Sequence, residues 1–214
     1  YSETKPTHVG NYWHYVDGVA TKWPEYYSEG LKYINRDDGT CTINGIGTCT
    51  DTELIIPTIS PDGYIVTGVS LDSCDSIVSV IIPEGVTSIG FEYCDSLESV
   101  IIPASVTSIG RWAFAYCTSL TSVTFLGNNT IIEHQAFEYC RSLKHFIVPD
   151  FNTVISYAAF LSCEALESIV IPKNVTKVEQ WAFEFCDALE YVYYTGTEED
   201  WKNIYIDFQN YGLN

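Results

Sequence analysis

The chain has no methionine among its 214 residues. It therefore lacks its own start, and we expect a mature or excised segment whose signal peptide preceded Tyr1. Basic residues are scarce: ten Lys and Arg stand against 28 Asp and Glu, a net charge of -18. Such a surface repels nucleic-acid phosphates and anionic membranes, and it favours cationic partners. No apolar run approaches the roughly 20 residues of a membrane helix, so no membrane insertion is expected. The four histidines, His8, His14, His134 and His145, are scattered and lack the H-E-x-x-H spacing of a metal site. A G-x-S-x-G elbow, a P-loop and a dinucleotide-binding glycine pattern are missing too. Acidic pairs such as Asp72 and Asp75 fail the calcium-loop pattern. These absences point away from an enzyme, and to no metal and no cofactor.

What the chain has in abundance is repetition. Cysteines fall at Cys49, Cys74, Cys94, Cys117, Cys140, Cys163 and Cys186, at intervals of 25, 20 and then 23 four times over. A fixed period in this range marks a solenoid. Each unit reads Cys, two variable residues, Leu, two variable residues, an aliphatic, one variable residue, an aliphatic, and usually Pro. A Val-Thr-x-Ile-like segment and Ala-Phe-x-x-Cys follow. Leu97, Val100 and Ile102 recur as Leu143, Phe146 and Val148, and again as Leu166, Ile169 and Ile171. Val100 and Ile102 are two apart and so face one side of a strand, with Ile101 outward. Pro83, Pro103, Pro149 and Pro172 end four such strands, as suits a residue without an N–H. One coil cannot bury its own Leu, Val, Ile and Phe, so coils must stack. At about 4.8 Å per strand, seven coils make a rod roughly 30–35 Å long. The "RWAFAYC" and "QWAFEFC" segments suit a bend or one helical turn.

The segments "AFAYCTSLTSVTF", "AFEYCRSLKHFIVP", "AFLSCEALESIVIP" and "AFEFCDALEYVYY" resemble leucine-rich repeats of the BspA-like, Treponema-type class. The resemblance covers about residues 41–214. It implies a right-handed solenoid and a bacterial or protist surface protein that binds proteins or matrix, with no single conserved ligand site. The expected fold is a β-rich leucine-rich-repeat solenoid. It is a parallel β-sheet of about seven stacked coils, with a hairpin N-cap and a short helical C-cap. Residues 1–40 hold an aromatic segment and the capping hairpin, residues 41–196 the solenoid, and residues 197–214 the C-terminal cap.

Departures from the repeat carry further expectations. "VTSIGFEYC" lacks the three residues that read "RWA" one coil later, which shortens an arc near Phe91 and leaves the strand register intact. Asn129 and Asn152 stand where other coils have Val, and a surface turn is the simpler reading. The ladder cysteines read as buried free thiols. Zinc ligands converge, whereas these stack in a line. In-register Cβ atoms about 4.8 Å apart exceed disulfide reach. A Ser replacement is expected to cost about 1–3 kcal/mol, because a hydroxyl needs a partner in an apolar corner. Cys41 lies outside the ladder, and a Cys41–Cys49 bridge stays open. Around "NRDDGT" two strand-like runs make a hairpin. Thr197 with Glu198, Glu199 and Asp200 starts a short helix carrying Trp201 and Ile204. Asn128 and Asn174 head glycosylation sequons, which matter only in a eukaryotic secretory host.

The candidate binding surface is the outward side of the strands. Its middle row holds Ile81, Ile101, Thr124, Ile147, Val170 and Tyr193. Beside it run Ser79, Ser99, Ser122, His145, Ser168 and Tyr191, and the outer row includes Glu98, Lys144, Glu167 and Glu190. An exposed apolar stripe with a polar border is an interaction signature, although β-branched residues also simply favour strands. The leading reading is an extracellular or cell-surface binding or adhesion module. It presents this face to a protein or matrix ligand, with a basic partner favoured by charge. Two others stand beside it: a structural spacer in a larger surface protein, and a carbohydrate-binding accessory module using Trp13, Tyr15 and Trp23 on a glycan.

Overall fold

The computed structural model describes residues 13–16 and 19–22 as backbone, together with residues 27–210 and 213. β1 (Trp13–Val16) and β2 (Val19–Lys22) pair antiparallel. The Asp-Gly turn between them and the side chains of Trp13, Tyr15 and Trp23 lie outside the described residues. β3 (Lys32–Asn35) and β4 (Thr40–Gly45) form the capping hairpin. Its turn closes with Arg36 N–H to Thr40 O at 2.8 Å, and Gly39 takes φ 83° there. β4 also pairs in parallel with the solenoid, so the hairpin is the first rung of one wall.

From there the chain alternates between two walls. It passes through β5 (Glu53–Ile55), β6 (Ile65–Ser70), β7 (Ser79–Ile81), β8 (Ser88–Gly90), β9 (Ser99–Ile102) and β10 (Ser108–Ile109). Next come β11 (Ser122–Phe125), β12 (Ile131–Ile132), β13 (His145–Ile147), β14 (Val154–Ile155), β15 (Ser168–Ile171) and β16 (Lys177–Val178). β17 (Tyr191–Tyr194), α1 (Glu198–Lys202) and β18 (Tyr205–Ile206) close the described chain. Odd-numbered strands from β5 to β17 stack in sequence order as the long wall, with Val80, Val100 and Val123 in one register and Phe146, Ile169 and Val192 in another. Val100 is buried and Ile101 is half exposed. The even-numbered strands form a second wall that the repeat pattern did not reveal.

The shortened coil keeps the long wall in register, while on the second wall β8 and β10 are not paired among the described residues. Ser79, Ser99 and Ser122 stay in register across it, and Phe91 remains fully buried under Phe114 at 5.5 Å.

Between the fourth and fifth coils of the long wall both ladders break. Among the described residues no strand pairing joins β11 to β13, or β12 to β14. At this seam two bulky inward residues, Phe125 and Phe146, meet edge to face at 5.9 Å, where most other coils carry Val or Ile. The long wall is therefore two parallel sheets, of four and three strands, in place of one evenly spaced platform. On the second wall the gap is bridged by side chains. Asn152 is buried, contrary to the surface-turn expectation. Its Nδ2 donates to Thr130 O (2.8 Å) and Pro149 O (2.9 Å), and its Oδ1 accepts from Ile132 N–H (2.8 Å). Ser156 Oγ donates to Ile132 O at 2.7 Å. Asn129 does lie at the surface, with Thr130 turned inward in its place.

At the carboxyl end Thr197 caps α1 with a reciprocal capping box to Asp200. The helix is one turn long and ends before Ile204, which is buried beyond it. Trp201 packs on Tyr194 at 5.4 Å. Asn210 repeats the role of Asn152, accepting from Phe183 N–H and donating to Glu179 O and Asp207 O.

Asn152→Val tests the seam. Val86, Val106 and Val175 fill the same corner in other coils and are buried, so the change looks like a return to the repeat. It leaves a buried Ile132 N–H unpaired, and we expect a loss of about 1–3 kcal/mol in urea unfolding. An unchanged or higher stability contradicts this account of the seam.

Candidate functional site

Two constellations stand out, a cysteine column inside and a row of side chains outside. In the column, Ala-Phe enters the core and the chain turns back at Cys. The turn needs two left-handed residues per full coil, such as Trp112 (φ 61°) and Tyr116 (φ 62°). Such a backbone costs bulky residues on the order of 1–3 kcal/mol unless the surroundings enforce it. Here the carbonyls of Phe91, Phe114, Phe137 and Phe160 each accept two bonds. Phe114 O takes the Cys117 N–H of its own coil (3.2 Å) and the Cys140 thiol of the next (3.1 Å). The same thiol bond recurs from Cys94 to Leu71 O, Cys117 to Phe91 O, Cys163 to Phe137 O and Cys186 to Phe160 O, at 2.9–3.2 Å. A serine at these sites inherits that acceptor, so the unpaired-hydroxyl penalty expected for Cys→Ser does not arise.

All eight cysteines are free, Cys41 and Cys49 included. Cys41 and the six from Cys74 to Cys186 are buried, and Cys49 is partly exposed. Burial pushes the Cys94 and Cys186 thiols up to about 12, and Cys140 and Cys163 well above the ordinary value. A thiol so hard to ionise is a poor nucleophile and a poor metal ligand. No group of His, Cys, Asp and Glu among the described residues is placed to hold a metal.

On the outside, Ile81, Ile101, Ile147 and Tyr193 are exposed, with Ile147 the most open at 68%. Thr124 is exposed and Val170 half-buried. His145 Nδ1 lies 2.9 Å from Ser168 Oγ. Glu98, Lys144, Glu167 and Glu190 are solvent-exposed, with Lys144 the lone base among three acids. The neighbouring Glu190 carboxylate holds the Tyr191 phenol above its usual range. The ladder break puts Thr124 on one sheet and Ile147 on the other. The apolar row is thus most continuous over Ile147, Val170 and Tyr193, which are paired in register.

The sequence pattern left a second row unnoticed, of exposed Tyr93 and half-buried Tyr116 and Tyr139. Tyr93, Tyr116 and Tyr139 stack with ring centroids 4.6 Å apart, one residue before each Cys. Their constant offset from the cysteine was the available signal. Tyr116 has both faces covered by its neighbours, so the row offers few open ring faces for a sugar to stack on.

Residues 90–207 match the BspA type leucine rich repeat region in six copies. A leucine-rich repeat protein from Bacteroides ovatus superposes with a TM-score of 0.59 at 24% identity, over 78% of this chain and 52% of that one. One from Eubacterium ventriosum gives a TM-score of 0.50 at 25% identity, over 79% of this chain and 43% of the other. The T. pallidum leucine rich repeat protein gives 0.48 at 22% identity, covering 79% and 82%. The chain spans about half the length of the first two. No curated protein matches it. No helix among the described residues is long and apolar enough to cross a membrane.

The thiols give a prediction with a definite sign. Below the ordinary thiol pKa of about 8.5, folded and unfolded chains hold the same protons. Above it the unfolded chain releases protons that the folded chain keeps, so stability falls as pH rises from about 9 towards 12. The loss reaches about 1.4 kcal/mol per pH unit for each fully buried thiol. Denaturant unfolding across pH 7–11 checks the slope, and a flat profile contradicts it. Native thiol titration should find Cys49 alone, and titration in denaturant all eight.

Proposed function

The chain belongs to the BspA-type leucine-rich repeat family, and from that premise we propose that it is a binding module of a bacterial surface protein. In this reading it lies outside the cell and presents the outward face of its long wall to a protein or matrix ligand, without catalysis. One observation carries the reading. Ile147 and Tyr193 are more than half exposed on strands whose inward residues pack on the core, fully at Phe146 and Val148 and partly at Val192 and Tyr194, in an apolar row that nothing in the described chain covers. Such a row loses little backbone entropy on binding. Glu98, Glu167 and Glu190 beside it, with a net charge of -18, favour a basic partner and a salt-dependent approach. We keep the division into residues 1–40, 41–196 and 197–214 as part of the proposal. β4 is shared by the hairpin and the solenoid, so the first boundary follows function more than folding.

The test is binding to purified matrix proteins of graded charge, with the parent chain and an Ile147→Lys, Val170→Lys double variant. Both residues point outward, so the variant should fold with nearly parental stability. Its affinity should drop about tenfold, or about 1.4 kcal/mol. Equal binding by the two contradicts the sheet-face reading. A parent that binds none of these proteins and none of the sugars on a glycan array favours the spacer reading.

A further inference from the structure

The two edges of the long wall are finished differently. At the amino-terminal edge the chain closes β5 with Ser28, which is fully buried. Its N–H donates to Ile55 O (2.9 Å) and its hydroxyl accepts from Ile55 N–H (3.1 Å). At the other edge β17 pairs with β15 alone, and among the described residues no backbone group pairs with its far side. The alternation of the ladder says which groups are open. Tyr191 and Thr195 send their N–H groups back to Glu167 O and Ile171 O. Val192 and Tyr194 therefore point theirs forward. Two coils earlier the equivalent Val148 N–H reaches forward to Val170 O at 3.0 Å. Beyond β17 no such carbonyl is present among the described residues.

Native proteins usually blunt a free edge with charge, proline or a bulge. β17 reads Tyr-Val-Tyr-Tyr and carries none of these. Around the same end Phe185, Tyr191, Tyr193, Tyr205 and Phe208 are each at least half exposed. Charge there has one sign. From residue 187 to 208 six acids accompany one base, Lys202, which is held by Glu198 at 2.6 Å. Asp200 is engaged in the helix cap, while Asp187, Glu190 and Glu199 face solvent.

We propose that the open edge of β17 is a docking site for an extended basic protein segment, which adds to the sheet as a further strand. Backbone pairing with Val192 and Tyr194 supplies the register. Lys and Arg side chains of the segment meet the acids and the tyrosine faces. A second copy of the chain fits less well, since it brings the same acids to the same edge. The proposal shares the partner's charge and the side chains of Glu190, Tyr191 and Tyr193 with the sheet-face reading. It uses backbone groups that the outward stripe does not.

The probe is a blocked octapeptide of alternating Lys and Val, compared with a Glu–Val peptide and with the Lys–Val peptide methylated on every backbone nitrogen. Binding is followed by calorimetry, and amide exchange at Val192 and Tyr194 by NMR. The Lys–Val peptide should bind and slow exchange at both amides at least tenfold. The Glu–Val and methylated peptides should bind at least tenfold more weakly. Absence of binding overturns the proposal, as does binding that leaves these amides unchanged or survives methylation. Concentration-dependent slowing without peptide overturns it in favour of a second copy. Neither result bears on the Ile147 and Val170 variant, so the two readings fail separately.

Discussion

Five phenylalanine rings, Phe91, Phe114, Phe137, Phe160 and Phe183, stack one above another with centroids 5.3–5.7 Å apart and nearly parallel planes. A coil of 23 residues has no interior of its own, and these rings have water-free surroundings only because a neighbour lies above and below. Every other regularity serves that contact. Left-handed residues on either side turn Ala-Phe inward and bring the chain back to Cys. The thiol then holds the carbonyl of the preceding coil, and the two ladders keep the coils in phase. Where bulky Phe125 and Phe146 push the ladders apart, Asn152 and Ser156 take over the lost backbone bonds. The same device returns with Asn210 at the last coil.

That inward economy determines what faces outward. Because Val100, Ile102 and their equivalents satisfy the core, the residue between them is free of structural duty. It holds Ile, Val, Thr or Tyr in different coils. The surface so formed is fixed in place by the core yet varied in chemistry. Acidic side chains border it in three coils, at Glu98, Glu167 and Glu190, and towards the carboxyl end they meet exposed tyrosines and a strand edge that is unpaired among the described residues. Charge, apolar surface and unpaired backbone thus converge on the last coils.

The strand wall was legible in the sequence because Val100, Ile101 and Ile102 alternate and the cysteine interval repeats. The hairpin was legible because Asp-Asp-Gly sits between two strand-like runs. The second wall was not. A strand of two residues, such as Ser108–Ile109, is too short to show alternation. Asn152 read as a turn residue because sequence carries no depth, and only its three partners explain its burial. The outward row at Ile101 and Ile147 was legible in the sequence. The seam that divides it was not, since it arises from the combined bulk of Phe125 and Phe146 in adjacent coils. The open edge of β17 was hidden for a related reason, because pairing partners are a property of the stack and not of any one repeat.

The central claim is that ring-on-ring contact between coils carries the fold, and Phe137→Ala tests it most directly. Phe137 is fully buried, lies between Phe114 and Phe160, and meets Phe146 at its edge. Equilibrium unfolding in urea should show a loss of about 3–5 kcal/mol. The exposed Phe151→Ala should stay within about 0.5 kcal/mol of the parent. A Phe137→Ala chain that unfolds within about 1 kcal/mol of the parent would contradict the account, and would place the stability in the strand ladders instead.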